Sequence, residues 1–145
     1  MKTSKVIAII LTLSIMCIFS SVAYAGTLYT GPDYVYNTKS GQQYYFHLSA
    51  SANTFEAPNK VQGNAYSLSS VPISKIETIV TLYNSNNSLL NTKTTSLTNT
   101  RFSSVACIYD GNPGTSYSYA VATFNFYDST YGNYSDWDIS DNLYW

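Results

Sequence analysis

The sequence is short of the residues that most chemistry needs. It has a single histidine and two cysteines, and only 10% of its residues are charged. Two cysteines exclude a disulfide-dense scaffold and a cysteine-based zinc knuckle. One histidine excludes a metal site of the His-rich kind. Seven basic residues against eight acidic ones give no clustered positive surface for nucleic acid or an anionic membrane. The low charge does not imply disorder, because aromatics make up 16% of the chain and 15 residues are Tyr, whereas disordered chains are poor in aromatics. The length of 145 residues fits one ordinary domain.

The one long apolar run is at the start. Lys2 and Lys5 precede Val6 to Phe19, and Ala23-Tyr24-Ala25 follows with small residues at both outer positions. This pattern is read as a secretory signal peptide over residues 1–25, cleaved after Ala25. The run is too short for a spanning helix, which needs about 20 apolar residues. Cys17 lacks the small-residue context of a lipid attachment site. Removal of the leader leaves residues 26–145 as a single domain with one cysteine, Cys107, and with five basic and eight acidic side chains. Such a domain has no internal disulfide and rests on its core. The compact leader points to a bacterial, secreted protein with no membrane span after cleavage. The sequons Asn86-Asn87-Ser88 and Asn133-Tyr134-Ser135 are therefore given no role.

After Ala25 no long stretch is rich in the residues that lose least on entering a helix. Short runs of Tyr, Val, Ile, Phe and Thr alternate with Gly, Asn, Asp and Pro, which is the strand-and-turn pattern. Strands are expected over Leu28–Tyr36 (broken or bulged at Gly31-Pro32), Gln42–Ser49, Asn64–Ser69, Lys75–Tyr83, Ser88–Thr95, Arg101–Tyr109, Tyr117–Tyr127 and Ile139–Trp145. In Lys75–Tyr83, period-2 alternation sets Ile76, Thr78, Val80 and Leu82 on one face and Glu77, Ile79, Thr81 and Tyr83 on the other. In Tyr117–Tyr127 it sets Tyr117, Tyr119, Val121 and Thr123 opposite Ser118, Ala120, Ala122, Phe124 and Phe126. Asn84-Ser85-Asn86-Asn87 and Asp110-Gly111-Asn112-Pro113-Gly114 read as turns.

Seven to eight short strands in one domain imply an all-β fold, an antiparallel β-sandwich. The stretch from Pro113 to Ala122, a Gly-Thr-x-Tyr turn running into an alternating Tyr-x-Val strand, resembles the start of strand F in fibronectin type III and related immunoglobulin-like domains. The resemblance spans about ten residues and implies an immunoglobulin-like sandwich without implying an activity. A jelly roll or a small barrel is the alternative.

Candidate chemistry is sparse. Cys107, in Val105-Ala106-Cys107-Ile108-Tyr109, reads first as a small buried hydrophobe. An intermolecular bridge or a nucleophile activated by His47 are the other readings. No Gly-x-Ser-x-Gly elbow marks a hydrolase. The most distinctive segment is Asp128 to Asn142, which holds four of the eight acidic residues after the leader interleaved with Tyr131, Tyr134 and Trp137. An EF-hand is excluded, because the position that needs Gly is Asp141 and the chain ends before the closing Glu. A non-motif Ca²⁺ loop using Asp136 and Asp138 stays open beside a solvated acidic loop. No cofactor and no metal are assigned.

Tyr and Trp offer apolar area with a polar handle. Tyr131, Tyr134, Trp137, Asp136 and Asp138 are accordingly the expected ligand-binding residues, for a cell-surface glycan or a protein. The functional expectation is a small secreted, non-enzymatic protein that binds a ligand or sits in the cell envelope. A secreted bacteriocin or toxin-like protein is the alternative. Gly26 to Gly31 resembles the start of some secreted β-sheet bacteriocins over those six residues only. A small hydrolase is the third class.

Overall fold

The computed structural model describes residues 28–29, 33–37, 42–53 and 59–144. The leader with its cleavage site and Cys17, the Gly31-Pro32 break and Trp145 lie outside the described residues. Eight strands form: β1 Leu28–Tyr29, β2 Asp33–Asn37, β3 Gln42–Asn53, β4 Lys60–Asn84, β5 Leu89–Asp110, β6 Tyr117–Tyr127, β7 Tyr134–Ile139 and β8 Leu143–Tyr144. No helix occurs among the described residues, so none there is long and apolar enough to cross a membrane. All strand pairs are antiparallel and belong to one eight-stranded sheet.

The 25-residue β4 organises that sheet. Along one side it pairs with β5 over nearly its whole length, from Lys60↔Asp110 to Tyr83↔Leu89. Its other side is divided: β3 takes Lys60 to Ser69, and β6 takes Lys75 to Asn84. The division falls at a crease. Pairing is Leu68↔Phe102 before it and Ile73↔Thr100 after it, so β4 spends four residues where β5 spends one. Val71 and Pro72 are exposed here. A proline has no N–H to give a ladder, and it is tolerated where the ladder is already broken. Asn99, opposite on β5, has φ 49°, a left-handed conformation that Asn accepts more readily than most residues.

The slip exchanges the faces of β4. Val61, Gly63, Ala65, Ser67 and Ser69 are buried before the crease, and Ile76, Thr78, Val80 and Leu82 after it. Odd positions, of which Ile73 is the last buried one, give way to even ones because an odd register shift sends side chains to the other face. The two halves of the sheet then turn their buried faces toward each other. The Ser67 and Thr78 hydroxyls lie 2.7 Å apart, eleven residues distant on one strand. The ring centroids of Phe46 and Phe124 are 4.6 Å apart, and those of Tyr44 and Phe126 are 4.5 Å apart. A Cβ built on Gly63 would lie 2.8 Å from Val80 Cγ1 and 3.1 Å from Ala120 Cβ, so only glycine allows this approach. The core therefore sits between two halves of a single curled sheet.

The all-β, antiparallel class agrees with the sequence, and both alternations in β4 and β6 are as expected. Among the described residues the pairing gives one continuous, curled half-barrel sheet. The expected short strands Asn64–Ser69 and Lys75–Tyr83 are the two halves of β4, and Ser88–Thr95 and Arg101–Tyr109 lie in the two halves of the 22-residue β5. The Asn84–Asn87 turn forms with Asn87 at φ 60°. The Asn84 side chain closes it by accepting the N–H groups of Asn86 and Ser88. Within Asp128–Asn142, the segment read as an acidic loop, Tyr134–Ile139 folds as β7.

Candidate binding face

The half of the sheet made by β6, β7, β8 and the second half of β4 has an outer face as ordered as its inner one. Cross-strand partners of an antiparallel ladder share a face, so the register defines rows across it. Tyr144 pairs with Tyr117, and their rings are 5.7 Å apart. Tyr119 pairs with Tyr83, stacked at 5.4 Å. Ile139, Val121 and Thr81 form the next row, then Trp137, Thr123 and Ile79. The last rows are polar: Ser135, Asn125 and Glu77, then Tyr127 and Lys75.

This face is open at the aromatic positions. Tyr144 is 67% exposed, Trp137 65% and Ile139 46%. Large apolar side chains gathered on one exposed surface mark interaction sites more often than chance. Tyr119 is held in place by donating its hydroxyl to Asn87 Oδ1 at 2.9 Å. Burial, with Tyr83 and Tyr117 beside it, pushes its phenol pKa up.

The polar rows are hydrogen-bonded to one another. Ser135 Oγ donates to Asn125 Oδ1 at 2.6 Å, and Asn125 Nδ2 donates to Glu77 Oε1 at 3.1 Å. The Tyr127 hydroxyl donates to the same carboxylate oxygen at 3.4 Å. Lys75 Nζ lies 3.7 Å from Glu77 Oε2 and 3.8 Å from the centroid of the Tyr127 ring. The row is thus a fixed series of donors and acceptors whose two charges cancel.

Of the five expected binding residues, only Trp137 belongs to this face. β7 alternates, and Tyr134, Asp136 and Asp138 turn the other way. Tyr134 stacks on Tyr44 and packs on Phe126, which makes it a margin of the core. Its hydroxyl meets Asp136 Oδ2. The other Asp136 oxygen accepts the N–H of Trp137, and Asp138 Oδ1 accepts that of Ile139, each at 2.8 Å. Among the described residues β7 pairs only with β6. Carboxylates that occupy main-chain donors on such an edge strand oppose pairing with a further chain. Tyr131 lies in the turn before β7, its N–H on Asp128 Oδ1 at 3.1 Å. Among the described residues no group of His, Cys, Asp and Glu is arranged to hold a metal ion.

Cys107 is fully buried and free, opposite Gly63 on the inner face. Burial pushes its thiol pKa up, and Lys93 offsets this in part. His47 pairs with Tyr66 on the outer side of the same half of the sheet, where the rings of both border an open groove of about 420 Å³. The sheet itself therefore separates the thiol from the imidazole.

Sequence reasoning missed Glu77, Asn125, Ser135, Lys75 and Tyr127. Period-2 alternation had already set Glu77 on a face with Ile79, Thr81 and Tyr83. Only the cross-strand register brings it to Asn125 and Ser135. No known protein family matches this chain, and no curated protein matches it.

Proposed function

We propose that the protein is a small secreted, non-enzymatic binding protein of the cell envelope, and that it binds through the outer face of β4, β6, β7 and β8. The observation that carries this is the joint exposure of Trp137, Ile139 and Tyr144 on one ordered face, where burial in a ligand would be favourable at roughly 25 cal/mol per Å² of apolar area. The leader-like residues 1–25 support export. The fold reading that goes with this function is a β-sandwich whose layers are joined through β4 and β5. The immunoglobulin-like resemblance of Pro113 to Ala122 supports that reading.

The test is binding of the purified chain to an envelope fraction, with Trp137→Ala and Tyr144→Ala introduced together. The expected result is a loss of roughly tenfold or more in affinity, as for truncated aromatic anchors worth about 1.4 kcal/mol or more. Undiminished binding by a folded double variant would overturn the proposal.

A further inference from the structure

The two ends of the outer face differ in chemistry. Tyr144 and Tyr117 mark one end, six residues along β6 from Thr123 and hence roughly 20 Å from the Trp137 row. At the Trp137 end the exposed indole stands two residues along β7, hence roughly 7 Å, from the Ser135, Asn125 and Glu77 row. We infer that this end is a subsite for an uncharged pyranose whose hydroxyls are equatorial, such as a β-linked glucose or N-acetylglucosamine unit. The inference rests on the binding reading above and deepens it by naming the ligand class.

Such a sugar and this end of the face are complementary. A pyranose with equatorial hydroxyls has two flat faces of C–H bonds and a rim of hydroxyls. The C–H face carries slight positive charge and suits the negative face of an indole ring. Each rim hydroxyl is both donor and acceptor, so it needs partners of both kinds along one line. The row supplies them: the second Asn125 N–H and the Lys75 ammonium remain as donors, and the Glu77 carboxylate and Ser135 hydroxyl accept. Their mutual hydrogen bonds fix the groups before a ligand arrives, which lowers the ordering cost of binding. The opposite charges of Lys75 and Glu77, 3.7 Å apart, leave the row without net charge. Because Lys75 is already paired with Glu77, no unopposed cation is left to hold the carboxylate of a uronic acid, so a neutral sugar is favoured.

The test titrates the full chain with cellohexaose and with the hexamer of N-acetylglucosamine, read by tryptophan fluorescence and calorimetry. The β-linked glucuronate hexamer, which keeps its hydroxyls equatorial, is the charged control, and binding to an envelope fraction is measured alongside. The expected result is saturable binding of a neutral hexamer and none of the glucuronate hexamer. Trp137→Ala should abolish it, Trp137→Tyr should retain part of it, and Asn125→Ala and Glu77→Gln should each weaken it about tenfold. Tyr144→Ala, roughly 20 Å away, should weaken it less than Trp137→Ala does. Melting curves of each variant separate lost binding from lost folding. Envelope binding that depends on Trp137 but vanishes after protease treatment of the envelope, with no hexamer bound, would overturn the sugar subsite and leave the binding reading standing. Binding of neither hexamer nor envelope would overturn both.

Discussion

β6 presents two faces that differ at every second residue. Ser118, Ala120, Ala122, Phe124 and Phe126 turn inward and are fully buried. Tyr117, Tyr119, Val121, Thr123, Asn125 and Tyr127 turn outward and keep some contact with solvent. The inner set is graded in size. Ala120 lets the opposite layer come close at Gly63, and Phe124 and Phe126 fill the space beside Phe46 and Tyr44. The outer set is graded in polarity, from Tyr117 to Asn125. Inner residues are thus chosen by the volume available between two layers, and outer ones by what they offer to something outside the fold. Stability should belong to the first face and binding to the second.

The largest expected effect is on the inner face. Phe124→Ala removes a ring stacked on Phe46 in a closed space, and should cost about 3–5 kcal/mol, measured by denaturant unfolding. An effect below about 1 kcal/mol would mean that the layers are not packed on each other. Gly63→Ala tests the close approach from the opposite direction. Its added methyl meets Val80 and Ala120 inside 3.2 Å, and should cost about 1–3 kcal/mol through overpacking. A stabilised variant would contradict the distance between the layers.

Cys107 gives a pH-dependent form of the same test. Burial raises its pKa, so the folded state holds the proton after the unfolded chain has released it. Stability from this source is fully present below the ordinary thiol range, near pH 8.5. It declines as pH rises from there toward the folded value, by at most about 1.4 kcal/mol per pH unit. Wild type should therefore lose stability more steeply above pH 8.5 than Cys107→Ala does. Equal slopes would place the thiol in solvent. The smallest expected effect is on the outer face, where Trp137→Ala should change stability by less than about 0.5 kcal/mol.

The same contrast explains what could be read from the sequence. Alternation is local, so Ile76, Thr78, Val80 and Leu82 were recognisable as one face without knowing any partner strand. Register is not local. Ser70-Val71-Pro72 looks like the end of a strand, and only pairing with β5 makes it a crease inside one. The reversal of buried positions across that crease, which folds β4 onto itself, has no signal in either half alone. Tyr134 was legible as a contact residue because tyrosine suits both core margin and surface. Its place against Tyr44 depends on β3, some ninety residues earlier. Trp137 was legible as an exposed aromatic, and its polar companions on β4 and β6 were not, because they come to it through two ladders.

The division of labour between the faces is tested most directly by measuring two variants together, Trp137→Ala and Phe124→Ala, for melting temperature and for envelope binding at a temperature where both remain folded. The expected result is that Trp137→Ala melts with wild type and loses binding, while Phe124→Ala melts far lower and still binds. A Trp137→Ala variant that binds like wild type, or that melts as low as Phe124→Ala, would contradict it.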